Sequence, residues 1–343
     1  MTHTINLPAY RTGRDWLIGE PSRMANRIVA VPEEIWLPHA GTTPGRMTLR
    51  LPSNVGQDSI TRVRNGGRCR DLLKTIQSAW GGSERAEGSI LDLRMNSPSN
   101  WAHAFTNHLP VALLARSHSG LISGQMSVLL PSGTPRMIVE LFERSGFPSL
   151  LTDKAVSGQI CSFDVRPWIA IRGVRHEVLR SSLYGSELHR SIENNNNWPK
   201  QIFIARRGAR RVENHLSVQN ALEQNGYVTY YAEDFSLIDQ ASFIYHARNI
   251  VAVHGAALGP LIFKALADDV PYNLMELFSP AHVTNVYRVI AHQTGGNWIG
   301  VRGRAWPRLL SRHANFSANM ENFEIAEESL ELGLQRLAGL SST

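Results

Sequence analysis

The chain has 343 residues, 43% of them hydrophobic and 19% charged, with a formal net charge of +6 at pH 7. That length supports two domains with substantial cores, and no apolar run approaches the ~20 residues needed to span a bilayer. Two cysteines, Cys69 and Cys161, are too few for a disulfide framework or a thiolate metal site, so a reducing compartment is expected.

In the first half, Arg27–Val31, Ser89–Leu93 and Gln125–Leu130 read as strands. Trp101–Arg116 and Arg136–Ser145 read as helices. The run Glu193-Asn-Asn-Asn-Asn-Trp-Pro199 is a polar surface connector, and it divides an expected domain 1–195 from a second one. The second half alternates more clearly. Strands are expected at Gln201–Ala205, Tyr227–Tyr231, Ile250–Val253, Tyr272–Leu277 and Asn297–Val301. Helices are expected at Glu213–Asn225 with Gly226 as C-cap, at Ser236–Arg248 with Ser236 as N-cap, at Leu258–Ala267 and at His282–Gln293. This pattern predicts a parallel sheet with helices on both faces over 196–310. Met320–Leu340 has helical apolar spacing, which makes 311–343 a C-terminal helical segment.

Open parallel sheets hold ligands at the carboxyl ends of their strands, and three candidate groups fall there. Ile250-Val-Ala-Val-His254-Gly255-Ala256 reads as a buried strand followed by a tight turn. Pro260 then fits the first turn of the next helix, whose free N–H groups and dipole favour an anion. Arg206, Arg207, Arg210 and Arg211 follow the Gln201–Ala205 strand, with Arg206 nearest its end. Glu276 lies near the end of Tyr272–Leu277, where a carboxylate could hold ribose hydroxyls or form an ion pair that caps the sheet. Asn100-Trp-Ala-His103 opens a helix; a neutral histidine suits a general base, while on these residues alone a satisfied helix histidine is the simpler reading. Only four of the 35 basic residues are lysine. This bias is first of all what a genome-level codon preference produces; the sharper reading is an anionic partner, since arginine grips phosphate through paired N–H bonds. No zinc spacing or basic zipper suggests nucleic acid. No Asp-x-Asp motif or other metal site is seen.

Together these segments resemble glycosyltransferase family 61, in order over about residues 98–300. The resemblance rests on Asn100-Trp-Ala-His103, then Ile202-Phe-Ile-Ala-Arg206-Arg207 with Arg210, Arg211 and Asn214. It continues through Gly226, Gln240 and Ala247 to His254-Gly-Ala-Ala-Leu258, Phe263 and Glu276. Gly259-Pro260 stand where the family has Thr/Ser-Asn, and His215 where it has Glu.

The resemblance implies a GT-B-like α/β fold, with two Rossmann-like domains, parallel sheets flanked by helices and an inter-domain cleft. It implies an inverting transferase that uses a nucleotide sugar, often a UDP-sugar, as co-substrate, with no other cofactor. Arg206, Arg210, His254, Gly255 and Ala256 would meet the donor diphosphate, Glu276 the ribose, and His103 the acceptor. The expected acceptor is a glycan or lipid-linked glycan of a bacterial capsule or other surface polysaccharide. A cytoplasmic location follows, with peripheral association at the inner membrane. Met1–Gly13 lacks the basic-then-apolar pattern of a secretory leader. Two other readings fit the same residues: a pyruvyl or other group transferase on a related fold, and a non-catalytic subunit that binds nucleotide sugar or glycan.

Overall fold

A computed structural model describes residues 2–7, 10–11, 15–19, 22–24, 27–29, 34–37, 41–42, 45–50, 59–61, 83–95, 97–118, 125–164, 176–268, 270–304 and 320–341. Cys69, Asp269 and the far end of the expected Arg27–Val31 strand lie outside these residues. The chain is mixed α/β and forms two compact units. One comprises Met1–Tyr10 and Thr42–Arg190, and the other Arg11–Gly41 and Ser191–Thr343. These units differ from the expected domains 1–195, 196–310 and 311–343. Arg11–Gly41 and the C-terminal segment both join the second unit, for reasons given below.

The first unit contains a mixed sheet rather than a wholly parallel one. Ser149–Leu151, Met126–Leu130, Glu84–Asp92 and Val156–Asp164 run parallel, in that order. Gly45–Arg50 and Thr2–Leu7 extend the sheet antiparallel beyond Val156–Asp164. The expected Trp101–Arg116 helix forms in three parts: Trp101–His103, a π turn over Ala104–His108, and Leu109–Ser117. Pro110 explains the π turn. It has no N–H, and its ring would collide with the carbonyl four residues back. The helix therefore widens by one residue, and the Leu109 N–H donates to the Ala104 carbonyl, five residues earlier.

The second unit is built on a seven-stranded sheet among the described residues. Its order is Val228–Tyr231, Gln201–Ala205, Asn249–Val253, Tyr272–Phe278, Gly296–Arg302, Asp15–Gly19 and Glu34–Leu37. All neighbours are parallel except the last pair. The central strands are nearly continuous runs of buried residues, as sheets covered on both faces require. Asn249, Asn273 and Asn297 stand level on three neighbouring strands. The Asn273 amide donates to Asn249 Oδ1, and the Asn297 amide to Asn273 Oδ1, each at 2.9 Å. This ladder pins a register that sets Glu276 opposite Ala252 and Gly300.

Asp15 accounts for the N-terminal strand in this sheet. Its buried carboxylate accepts from Arg288 Nε at 2.5 Å and meets His292 Nε2 at 2.9 Å, both on the helix Val286–Gln293. The C-terminal segment joins through apolar packing. Phe323, Ile325, Leu330 and Leu337 lie in the same core cluster as Val251, Met275 and Val301. The predicted caps at Gly226 and Ser236 are present. Gly226 has φ 83°, and the Ser236 side chain accepts from the Asp239 N–H at 3.2 Å. The helix expected over Leu258–Ala267 is instead a 3-10 helix, Ala256–Leu266, with Pro260 inside it rather than in its first turn. The tighter winding begins directly after Gly255, as Leu258 donates to the Gly255 carbonyl at 3.2 Å.

Candidate active site

The strand order creates a switch point. From Gln201–Ala205 the chain moves outward to Val228–Tyr231, then returns to the other side as Asn249–Val253. A crevice opens where two neighbouring strands send their connections in opposite directions, at their carboxyl ends. Arg206 leaves the first of these strands and His254 the second.

The two strand ends are joined directly. Arg206 Nε donates to the Ala209 carbonyl at 2.7 Å, and Nη1 to the His254 carbonyl at 3.4 Å. The guanidinium lies across Gly255, where an added Cβ would stand 1.9 Å from Nη1. The arginine loop curls through two left-handed residues, Gly208 at φ 74° and Arg210 at φ 62°. A left-handed residue other than glycine costs about 1–2 kcal/mol, so the surroundings must hold Arg210 in place. The C-terminal segment does this. Arg210 N–H donates to the Met320 carbonyl at 3.2 Å, Phe323 N–H to the Arg211 carbonyl at 3.1 Å, and Glu213 N–H to the Phe323 carbonyl at 2.7 Å. Asn214 completes the clamp by donating to the Ile325 carbonyl and accepting from its N–H. Arg207 is exposed and paired with Asp234. Arg211 is also exposed.

Arg206 and Arg210 are both partly buried, and neither has a carboxylate partner among the described residues. Burial lowers the pKa of each, and the Arg210 charge lowers that of Arg206 further. Arg210 Nε is buried and has no hydrogen-bond partner among the described residues. Arg94 in the first unit looks quite different. It is buried against both oxygens of Asp92 and the carbonyls of Thr152 and Lys154. A structural arginine is satisfied in this way, whereas the Arg206–Arg210 pair is left with capacity for an anion.

Glu276 is 0% exposed within a strand of buried residues. Its Oε1 is 2.5 Å from His254 Nδ1, and its Oε2 accepts from Trp298 Nε1 at 2.9 Å. Each carboxylate oxygen thus has a partner inside the protein. Gly300, level with Glu276, makes room for the indole, since a Cβ there would meet Trp298 at 2.4 Å. The His254 backbone N–H donates to the Leu277 carbonyl at 2.9 Å, and its ring stacks on Phe278 at 5.0 Å.

Two further residues belong to this cluster. The expected helix His282–Gln293 starts only at Val286, which leaves His282 in a strand-end loop, 5.6 Å from the His254 ring. Burial, then His254 and Arg210, push the His282 pKa down to about 4. Tyr287 is buried with its ring 5.8 Å from His254, and burial, with Glu276 adding, raises its pKa. The available signal for His282 was a polar residue just beyond a strand's carboxyl end. Tyr287 and Trp298 carried no local signal. Gly255 precedes the 3-10 helix and Ala256 begins it, where a turn before the helix was expected. His103 lies in the first unit, half-buried, and its backbone N–H donates to the Asn100 side chain at 3.2 Å.

The family model described as Glycosyltransferase 61 matches residues 101–269. This segment belongs to glycosyltransferase family 61. A search of curated proteins finds no match. The matched region of the family includes His103, Arg206, Arg210 and His254–Ala256, and stops short of Glu276, His282 and Trp298. Membership supports a glycosyltransferase.

Two outcomes follow from this geometry. Gly255→Ala should displace the Arg206 guanidinium and weaken binding of inorganic pyrophosphate about tenfold, or ~1.4 kcal/mol. Calorimetric titration checks this, and unchanged affinity would show that the crossing contact is dispensable. His282 binds its proton near pH 4 when folded but near 6.5 when unfolded. The unfolded state therefore holds more protons between those values, and stability falls as the pH drops from 6.5 to 4. Thermal midpoints over that range should decline less steeply in His282→Gln than in the wild type.

Proposed function

We propose that the chain transfers a sugar from a nucleotide sugar, a UDP-sugar in the first instance, to a glycan or lipid-linked glycan acceptor, with inversion at the anomeric carbon. One observation carries this reading. Arg206 and Arg210, partly buried and with no ion-paired carboxylate among the described residues, lie at the switch point of a parallel sheet in a glycosyltransferase family 61 region. A diphosphate supplies the charge they lack. The Ala256 end of the 3-10 helix and His254 offer further N–H groups to it.

In the proposed reaction an acceptor hydroxyl gives its proton to His103 while its oxygen attacks the anomeric carbon. The bond to the diphosphate breaks on the opposite face, and Arg206 and Arg210 stabilise the charge that develops there. Two fixed guanidinium groups can fill the place of a divalent cation, which supports a metal-independent route. The GT-B arrangement, a cytoplasmic location and a role in bacterial surface polysaccharide synthesis belong to the same proposal. Among the described residues, no helix is long and apolar enough to cross a membrane.

Uridine diphosphate at ~100 times its dissociation constant should stabilise the protein by ~2.7 kcal/mol, and Arg210→Met should remove most of that gain. The absence of stabilisation by any nucleoside diphosphate would overturn the donor site. With a panel of UDP-sugars and oligosaccharides, His103→Ala should abolish turnover while the stabilisation by uridine diphosphate persists. Binding without turnover in the wild type would favour the non-catalytic subunit.

A further inference from the structure

The pair His254–Glu276 carries more than a contact, because Trp298 limits what Glu276 can do. An indole N–H only donates, and a carboxylate only accepts. With Oε2 taken by Trp298 and Oε1 facing His254 Nδ1, the proton of that second bond sits on Nδ1. His254 Nε2 has no hydrogen bond among the described residues, and the side chain keeps 12% exposure. The ring is further fixed by Phe278 beneath it and by the backbone bond from its N–H to Leu277.

We propose that Trp298 and Glu276 are positioning residues that set the protonation pattern of His254. They hold a proton on Nδ1 and leave Nε2 for the ligand. To meet a diphosphate oxygen, Nε2 must donate as well, so the ligand-bound ring carries protons on both nitrogens, between a carboxylate and a phosphate. This rests on the nucleotide-sugar reading only for the ligand at Nε2. The Nδ1 assignment stands on the protein's own hydrogen bonds.

Glu276→Gln should have an unusual effect. The Trp298 N–H must still find an acceptor, so the new amide turns its oxygen to Trp298 and its NH2 group to His254. Nδ1 then becomes an acceptor, and the neutral ring moves its proton to Nε2. A substitution that leaves the shape unchanged thereby reverses the tautomer. Removing the constraint with Trp298→Phe frees the amide to turn back.

Long-range proton–nitrogen spectra of ring-labelled protein test this, with the His254 signal assigned by its loss in His254→Asn. The unliganded wild type should show the Nδ1–H form, Glu276→Gln the Nε2–H form, and Glu276→Gln/Trp298→Phe renewed Nδ1–H signal. Uridine diphosphate should convert the wild-type ring to the doubly protonated pattern, and its dissociation constant should rise roughly tenfold in Glu276→Gln. A wild-type ring in the Nε2–H form, or a Glu276→Gln ring that stays Nδ1–H, would overturn the positioning role. Correct tautomers with no response to uridine diphosphate would leave the relay standing and count against the nucleotide reading. The wild-type spectrum alone decides the first point if the variants fail to fold.

Discussion

The contact on which the candidate site depends is the passage of the Arg206 guanidinium over Gly255 to the His254 carbonyl. It joins the end of the strand Gln201–Ala205 to the end of its neighbour Asn249–Val253, at the point where the chain reverses its direction of travel across the sheet. A side chain at position 255 would occupy the space of the guanidinium. The glycine is therefore needed for close approach, at a backbone conformation that any residue can adopt. With Arg206 there, the nearby Arg210 charge acts on it, so two like charges repel at one end of the sheet.

That crowding is unfavourable without a ligand. Desolvation and mutual repulsion both act against the arginine charges, and a left-handed residue adds backbone strain. The cost is offset elsewhere in the unit. Met320, Phe323 and Ile325 hold the loop by backbone bonds, and the helix behind them inserts Leu330 and Leu337 into the core. The C-terminal segment is thus part of the machinery that keeps the arginines in place. By contrast, Arg94 and Arg288 are buried charges already matched by acids, and they serve packing. Buried arginines paired with acids thus occur in the same chain as the Arg206–Arg210 pair, which has no ion-paired carboxylate among the described residues.

The alternation of strands and helices after residue 200 was readable because the central parallel strands are buried apolar runs and local signals such as Ser236 and Gly226 mark helix ends. Arg206, Arg210 and His254 were readable because strand ends announce themselves as polar residues following an apolar run. What escaped reading was non-local. Trp298 reaches Glu276 only because Gly300 is small and the strands are in register, and neither fact is a property of the Trp298 segment. Asp15 recruits its strand through Arg288 and His292, more than 270 residues away. The helix expected at His282 starts four residues later, which turned a presumed helical histidine into a site residue. The Pro260 turn was read as an α-helical start, and its tighter winding depends on how the segment packs. Asn214 was noticed through the family resemblance, and its observed role is as a clamp on the C-terminal chain.

The asparagine ladder lies at the far edge of the sheet from these residues. Asn273 precedes Glu276 by three positions, or ~10 Å along a strand. Side chains alternate faces, so a slip of one notch would move the carboxylate ~3.3 Å and turn it to the opposite side of the sheet. Three amides that never approach the crevice thus calibrate where its buried carboxylate stands, in the way that a scale's zero mark governs readings taken elsewhere along it. Loops at the ligand edge can change length and chemistry while that zero mark stays fixed, which gives the unit room to vary its substrate without losing the alignment beneath it.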